Sequence, residues 1–340
     1  MRAITYTRHG DPSVLELVER TIPEPGEGEI RIRVLVSGVN PTDWKSRSGG
    51  YGRALAEQAV PNQDGAGIVD ETGPGVDGLA VGDRVWVTLA ADGRPASGTA
   101  QEYTVVPVDR AFPLPGGAGF ELGASIGIPG VTAHRALTVA EDGPTRLHPN
   151  ALGARTVLVA GGAGAVGNAA IQLARWAGAT VIATVSGDAK ARLATAAGAH
   201  QVVNYKGASA AKEIRRAAPD GVDLVVEVAA GANADIDQAV LRPRGTISVY
   251  ANDGAAPFNL DVRRNMGLNA RYQFILLYTV GWERIAAAAA DINRATEDGA
   301  LHVGEEFGLP LHRFGLEDTA AAHSAVESGA VGKVLISVGG

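Results

Sequence analysis

Residues 155–187 constrain the fold more than any other stretch of this chain. A short apolar run rich in β-branched residues, 156–160, has the length of a buried strand. It breaks on glycine and then places apolar residues at Val166, Ala169, Ala170, Leu173, Ala174 and Ala177, the spacing of one helix face. A second apolar run follows at 180–185. Strand, helix and strand within about 30 residues are the size of one βαβ unit.

The glycines suit that context. Gly162, Gly164 and Gly167 read G-x-G-x-x-G across the strand-to-helix turn. The first is expected to permit the tight turn, the second to let backbone approach a pyrophosphate, and the third to let helix and strand pack closely. Ala165 and Val166, in the helix's first turn, bring unpaired N–H groups and a positive dipole end to the phosphates. With 45 glycines in the chain the motif alone could be a bare structural turn. The flanking strand, helix and second strand favour dinucleotide binding. An NAD site usually carries an acid about 20 residues on, bonded to the ribose 2′-OH. Here Ser186 stands nineteen residues beyond Gly167, and Lys190 lies one helical turn later. A hydroxyl and an ammonium suit a 2′-phosphate, which favours NADPH over NADH. The competing reading has Ser186 capping the next helix and Lys190 solvated, with Asp188 close by.

At 340 residues the chain is expected to form two domains. Its 46% hydrophobic and 20% charged residues are ordinary for a soluble globular protein. A net charge of −7 argues against a general nucleic-acid or anionic-membrane surface. No apolar run approaches the ~20 residues of a membrane span. Residues 1–4 lead straight into a strand-like segment with no signal-peptide core, so a cytoplasmic protein is expected. The chain has no cysteine, which excludes disulfides, thiol nucleophiles and thiolate zinc sites. Its seven histidines show no ligand spacing, so no metal is expected.

In chain order, the runs 3–7, 29–37, 65–71, 84–89 and 102–106 read as strands separated by turn signals, a mostly β domain resembling a distorted barrel. Residues 29–36 alternate charged and apolar, so one face is buried. From Pro115 the character changes: 121–140 is helix-compatible, interrupted at 127–130, and 141–154 is a polar connection. Beyond Ser186 the βα rhythm continues to 250, giving about six strands alternating with helices, the doubly wound pattern. An alanine-rich helix at 282–298 precedes a closing strand at 332–338, expected to return to the first domain.

Several motifs add up to a family: Gly38-Val-Asn-Pro-Thr-Asp43, Asp64-Gly-Ala-Gly67, Val81-Gly-Asp-Arg-Val85, Gly127-Ile-Pro with Thr132-Ala-His-Arg-Ala-Leu137, the glycine turn, Gly198-Ala-His-Gln-Val-Val-Asn-Tyr205 and Gly332-Lys-Val. The chain resembles the zinc-free medium-chain dehydrogenases/reductases, in the quinone oxidoreductase or zeta-crystallin branch. The resemblance implies a Rossmann dinucleotide-binding domain at 127–271. It also implies a GroES-like domain at 1–126 and 272–340. Where zinc relatives carry their first cysteine ligand this chain aligns Asn40; their Gly-His-Glu aligns with Asn62-Gln63-Asp64, and their other catalytic cysteine with Ile128. Alcohol oxidation, which needs a Lewis acid, is thereby disfavoured, whereas hydride delivery to a preactivated acceptor is not.

The family implies direct hydride transfer from a nicotinamide held between the domains, the protein supplying proximity and orientation. By resemblance Asn40 lies near the nicotinamide, Thr132 beside it, and Gln63 and Asp64 approach the same pocket. Asn40 could otherwise be a turn residue before Pro41, and Asp64 a loop-stabilising carboxylate. Enoyl-thioester reductases have a tyrosine where this chain has Tyr51, so Tyr51 could donate a proton or merely pack its loop. Some quinone reductases have a tyrosine where Lys45 stands; Lys45 reads as solvated. Tyr205, by resemblance, joins Ser186 and Lys190 at the 2′-phosphate. Two segments depart from the family, a longer 143–152 and a loosely matching 251–280. The apolar stretch 272–280 is a candidate homodimer contact.

The expected activity is an NADPH-dependent reductase of quinones or α,β-unsaturated carbonyls. One alternative is an enoyl-thioester reductase, which would need a basic groove, and only Arg47/Arg53 and Arg263/Arg264 offer one. The other, outside enzymes, is an NADPH-binding sensor or structural protein.

Overall fold

The computed structural model describes residues 1–52, 54–55, 58–254 and 256–339. The chain divides into two units, Met1–Ile128 with Pro310–Gly340, and Pro129–Leu309.

The first unit opens with an antiparallel ribbon of β1 (Arg2–Thr5) and β2 (Glu16–Glu19). Its spine is β3 (Glu29–Val39), whose alternation sends Ile30, Ile32 and Val34 into the core. The short helix α1 (Pro41–Arg47) follows directly. The strands β4 (Asp64–Thr72), β5 (Arg84–Val87), β6 (Tyr103–Pro107) and β7 (Ala111–Pro113) then build the sheet, β4 and β6 pairing antiparallel to β3. Ile30, Ile32, Val69, Val85 and Val106 share one cluster on its inner side. Two register shifts along the β3–β4 ladder bend it, as bulges do.

Helix α2 (Phe120–Ile126) ends at Gly127, and α3 (Ile128–Leu137) begins at the next residue. The expected interruption over 127–130 is thus a one-residue break. Pro129 belongs to the first turn of α3, where no backbone N–H is required.

The second unit continues through β8 (Thr156–Ala160), α4 (Ala165–Trp176), β9 (Thr180–Val185), α5 (Asp188–Ala196), β10 (Gln201–Asn204), α6 (Ala210–Ala217), β11 (Val222–Glu227), α7 (Ala230–Val240), β12 (Leu241–Val249), α8 (Val262–Leu268), β13 (Arg271–Phe274) and α9 (Trp282–Glu297). Its six strands are all parallel, in the order β10-β9-β8-β11-β12-β13. The order reverses between β8 and β11, so the topological switch lies at the carboxyl end of β8.

The chain returns to the first unit at Pro310, not at residue 272. The reason is pairing: Arg271 to Phe274 run parallel to Thr246 to Val249 as the sixth strand. Gln172 of α4 then holds the chain at His302 through two hydrogen bonds. Only afterwards do β14 (Leu311–Gly315), α10 (Thr319–Glu327) and β15 (Lys333–Ser337) complete the first sheet. There β15 runs antiparallel to β3, with Val334 opposite Val39. Among the described residues no helix is long and apolar enough to cross a membrane.

Candidate functional site

The turn after β8 is built by glycines with separate jobs. The left-handed residue is Gly161, at φ +69, one position before the motif, so Gly162 is not the turn former. Gly162 is glycine for packing: a Cβ there would lie 2.9 Å from Ala183 Cβ and 3.1 Å from Ile171 Cδ1. Gly167 is likewise compelled, since its Cβ would collide with the Gly161 carbonyl. Gly164 differs. It is the exposed N-cap of α4, makes no side-chain cap, and a Cβ there would meet nothing nearer than the Gly161 carbonyl at 3.5 Å. The packing of the protein itself does not require a glycine at 164. Ala165 and Val166, partly exposed, follow as the first two residues of α4. Their N–H groups belong to the unpaired first turn.

At the end of β9 the chain assembles the second group of candidates. Tyr205 donates its backbone N–H to Val185 at 3.0 Å, which sets it next to Ser186. Lys190 is the third residue of α5. Gly187, not Ser186, is the N-cap of α5, and no side chain caps that helix. Tyr205 is 37% exposed. Thr132 is buried within α3.

In the first unit Asn40 and Asp64 lie in a buried polar cluster. Asn40 precedes Pro41, which holds it extended (φ −123°, ψ 161°) and starts α1. Its Nδ2 donates to Asp64 Oδ2 at 2.7 Å, and its Oδ1 accepts from Lys333 Nζ at 2.7 Å. Asp64 also accepts the Ile128 N–H on both oxygens, at 2.8 and 2.9 Å, and the Thr88 hydroxyl at 3.2 Å. Lys333 Nζ stands 3.5 Å from Asp64 Oδ2. Asp43 accepts backbone N–H groups from Asn40 (2.7 Å) and Gln63 (3.1 Å). Asn40, Asp43, Asp64 and Lys333 are each 4% exposed or less. Gly127 leaves room for the cluster, since any Cβ there would strike the Asp64 carboxylate.

Burial dominates the electrostatics. It drives Asp43 up to about 8, helped by the charge of Asp64. Burial also raises Asp64, against Lys333 and its hydrogen bonds, and lowers Lys333, against the two carboxylates. Both Asp64 oxygens are engaged by protein donors, so its direct partners are Asn40, Thr88, Lys333 and the start of α3. Gln63 Oε1 accepts from the Ala91 N–H at 3.0 Å.

Tyr51 is half-exposed, and its hydroxyl lies 3.4 Å from Thr42 Oγ1 in the first turn of α1. The structure therefore joins Asn40 to Asp64 directly, and sets Tyr51 near the same helix start on the outside. Lys45 lies over the Trp44 ring at 5.6 Å. Arg47 is fully buried and paired with Glu327 at 2.7 Å, so it contributes no basic groove; Arg53 lies outside the described residues.

Residues 26–116 match the alcohol dehydrogenase GroES-like domain, and 165–294 match the zinc-binding dehydrogenase family. The quinone oxidoreductase of Lama guanicoe is 32% identical over 99% of this chain and 97% of its own length. The chain belongs to the quinone oxidoreductase family of medium-chain dehydrogenases/reductases. A mycobacterial quinone oxidoreductase structure is 31% identical, with a TM-score of 0.83 and 99% of both chains covered. The Escherichia coli quinone oxidoreductase solved with NADPH is 26% identical, with a TM-score of 0.81 and the same coverage.

Within this chain, sequence reasoning overlooked Lys333 and Asp43. Lys333 stood in the Gly332-Lys-Val motif, and a lysine opening the apolar run Lys333–Ser337 was the available signal. Its partner Asn40 is 293 residues away, beyond any local pattern. The long 143–152 segment also finds its place. Asp291 on α9 accepts from Arg146 Nε at 3.0 Å and from the Leu147 N–H at 2.7 Å, and binds His134 Nε2 of α3 at 2.7 Å.

Proposed function

We propose that this protein is an NADPH-dependent reductase that delivers hydride, without a metal, to a quinone or an α,β-unsaturated carbonyl. The observation that carries the reading is the open backbone at Gly164, at the switch point of a parallel sheet where dinucleotides bind. The residues fit the cofactor: the 162–167 turn and the start of α4 would take the pyrophosphate, and Ser186, Lys190 and Tyr205 the 2′-phosphate. NADPH, when bound, supplies the hydride. Thr132 and Asn40 would border the nicotinamide, Asn40 through its carboxamide. The Tyr51 hydroxyl, half-exposed, would orient an acceptor carbonyl or donate a proton to it. Asn40, Gln63 and Ile128 at the ligand positions of zinc relatives support a route without a Lewis acid. NADPH-complexed structures of full-length relatives support the cofactor.

The enoyl-thioester alternative loses some support, because burial of Arg47 removes one of the four basic residues it could use. We also propose a homodimer paired along β13, the edge of the six-stranded sheet. Phe274 and Leu276 are 63% and 52% exposed there.

The test is NADPH consumption across small quinones, alkenals and enoyl-coenzyme A thioesters, with wild type and Tyr51→Phe. Steady turnover with quinones or alkenals is expected. Tyr51→Phe should lower alkenal reduction at least ~10-fold and quinone reduction far less, since general acid catalysis is worth about 10²–10⁴-fold. Tight NADPH binding with no turnover on the whole panel would favour a sensor or structural role instead.

A further inference from the structure

We infer that Lys333 and Asp64 are positioning residues that lock the Asn40 carboxamide in a single orientation and present its second Nδ2–H as the one donor left for an acceptor oxygen. This rests on the reading of Asn40 as the group bordering the nicotinamide.

An asparagine amide has two ends of nearly equal size, and only its neighbours decide which way it points. Here the oxygen faces an ammonium at 2.7 Å and the nitrogen faces a carboxylate at 2.7 Å. Turning the amide over would set NH2 against NH3⁺ and a carbonyl against a carboxylate. In a cluster where Lys333 and Asp64 are 1% and 0% exposed, little solvent screens that repulsion. One orientation is therefore strongly preferred.

The amide's capacity then follows by counting. Asn40 offers two N–H donors and two lone pairs. Asp64 takes one N–H and Lys333 takes one lone pair. The second lone pair lies on the atom held by the ammonium, while the second N–H is unspent in this cluster. A cation on the carbonyl oxygen also polarises the amide and strengthens its N–H as a donor. An incoming carbonyl or quinone oxygen is the matching partner.

The fold is shaped for this contact. The β15–β3 ladder places Val334 opposite Val39 and Leu335 opposite Gly38, which brings Lys333 beside Asn40. Gly38 keeps the lysine's path clear: a Cβ there would come within 3.0 Å of Lys333 Cε and would collide with the Ala124 carbonyl. Asp64 lies opposite Gly38 on the other neighbour, β4.

Lys333→Met alone would leave a buried, unpaired carboxylate and could unfold the chain. The informative variant is therefore Lys333→Met with Asp64→Asn, which removes both charges together. In the full chain, this paired variant is expected to melt as one cooperative unit and to bind NADPH within about 2-fold of wild type. Its kcat for quinone reduction should fall at least ~10-fold, the factor that about 1.4 kcal/mol represents. Asn40→Ala should lose a similar factor, and combining it with the paired variant should add no further loss. A readout without ligand is the Asn40 side-chain amide signal in ¹⁵N NMR, assigned by its disappearance in Asn40→Ala. It should be protected from hydrogen exchange in wild type and lose protection in the paired variant. An amide signal with equal protection in both would overturn the proposal, as would losses that multiply in the combined variant. Full activity of Asn40→Ala would instead remove the reading of Asn40 on which the proposal stands.

Discussion

Among the glycines of the turn, Gly162 and Gly167 are dictated by the protein's own packing, whereas Gly164 has room for a side chain and none is present. That contrast separates the glycines that packing requires from the one that it leaves open. The same discrimination applies at the far end of the dinucleotide. Lys190 stands in the first turn of α5, a helix whose N-terminus no side chain caps. A charge-assisted bond to a 2′-phosphate is worth roughly 1.5–3 kcal/mol. Lys190→Ala should therefore raise the Kd for NADPH about 10-fold or more and change that for NADH less than about 2-fold, by fluorescence titration. Equal weakening of both would cancel the 2′-phosphate assignment.

At the scale of elements, Asp291 ties α9 to α3 and to the connection before β8. Burial works against its charge, but hydrogen bonds from His134, Arg146 and the Leu147 N–H prevail and hold its carboxyl at about 2. Burial meanwhile lowers His134, opposed by Asp291. Because the folded value lies below the unfolded one near 3.9, the folded state binds fewer protons between them. The stabilisation is fully present above about pH 4 and is lost as pH falls toward about 2. Asp291→Asn should cost about 1–3 kcal/mol at pH 7, and the difference from wild type should shrink below pH 4. Urea unfolding at pH 7, 4 and 3 reads this directly; a difference that stays constant across that range would mean the carboxylate's charge is not what matters.

For the molecule as a whole, the edge strand β13 is the feature with the largest consequence. Phe274 at the end of β13 and Leu276 just beyond it are exposed, while the alternate residues Ile275 and Leu277 are buried. Such an edge seeks a partner unless it is blunted by charge. Sedimentation equilibrium at micromolar concentration should show wild type as a dimer and Phe274→Glu shifted toward monomer. A dimer indifferent to that substitution would place the interface elsewhere.

The sequence by itself determined what depends on short-range pattern. The βαβ unit around the glycine turn and the alternation of β3 were legible because strand and helix periods repeat every two to four residues. Motif order along the chain carried the family. Other features depended on residues meeting across the fold. Gly161 as the turn former was visible only once φ was known. The return at Pro310 was decided by Arg271–Phe274 finding a sheet edge, a choice between pairings that local propensity does not rank. The salt-bridged cluster required β15 to lie against β3 before Lys333 could reach Asn40 and Asp64. A buried charge is tolerable only beside its partner, and that partner is chosen by the tertiary structure alone.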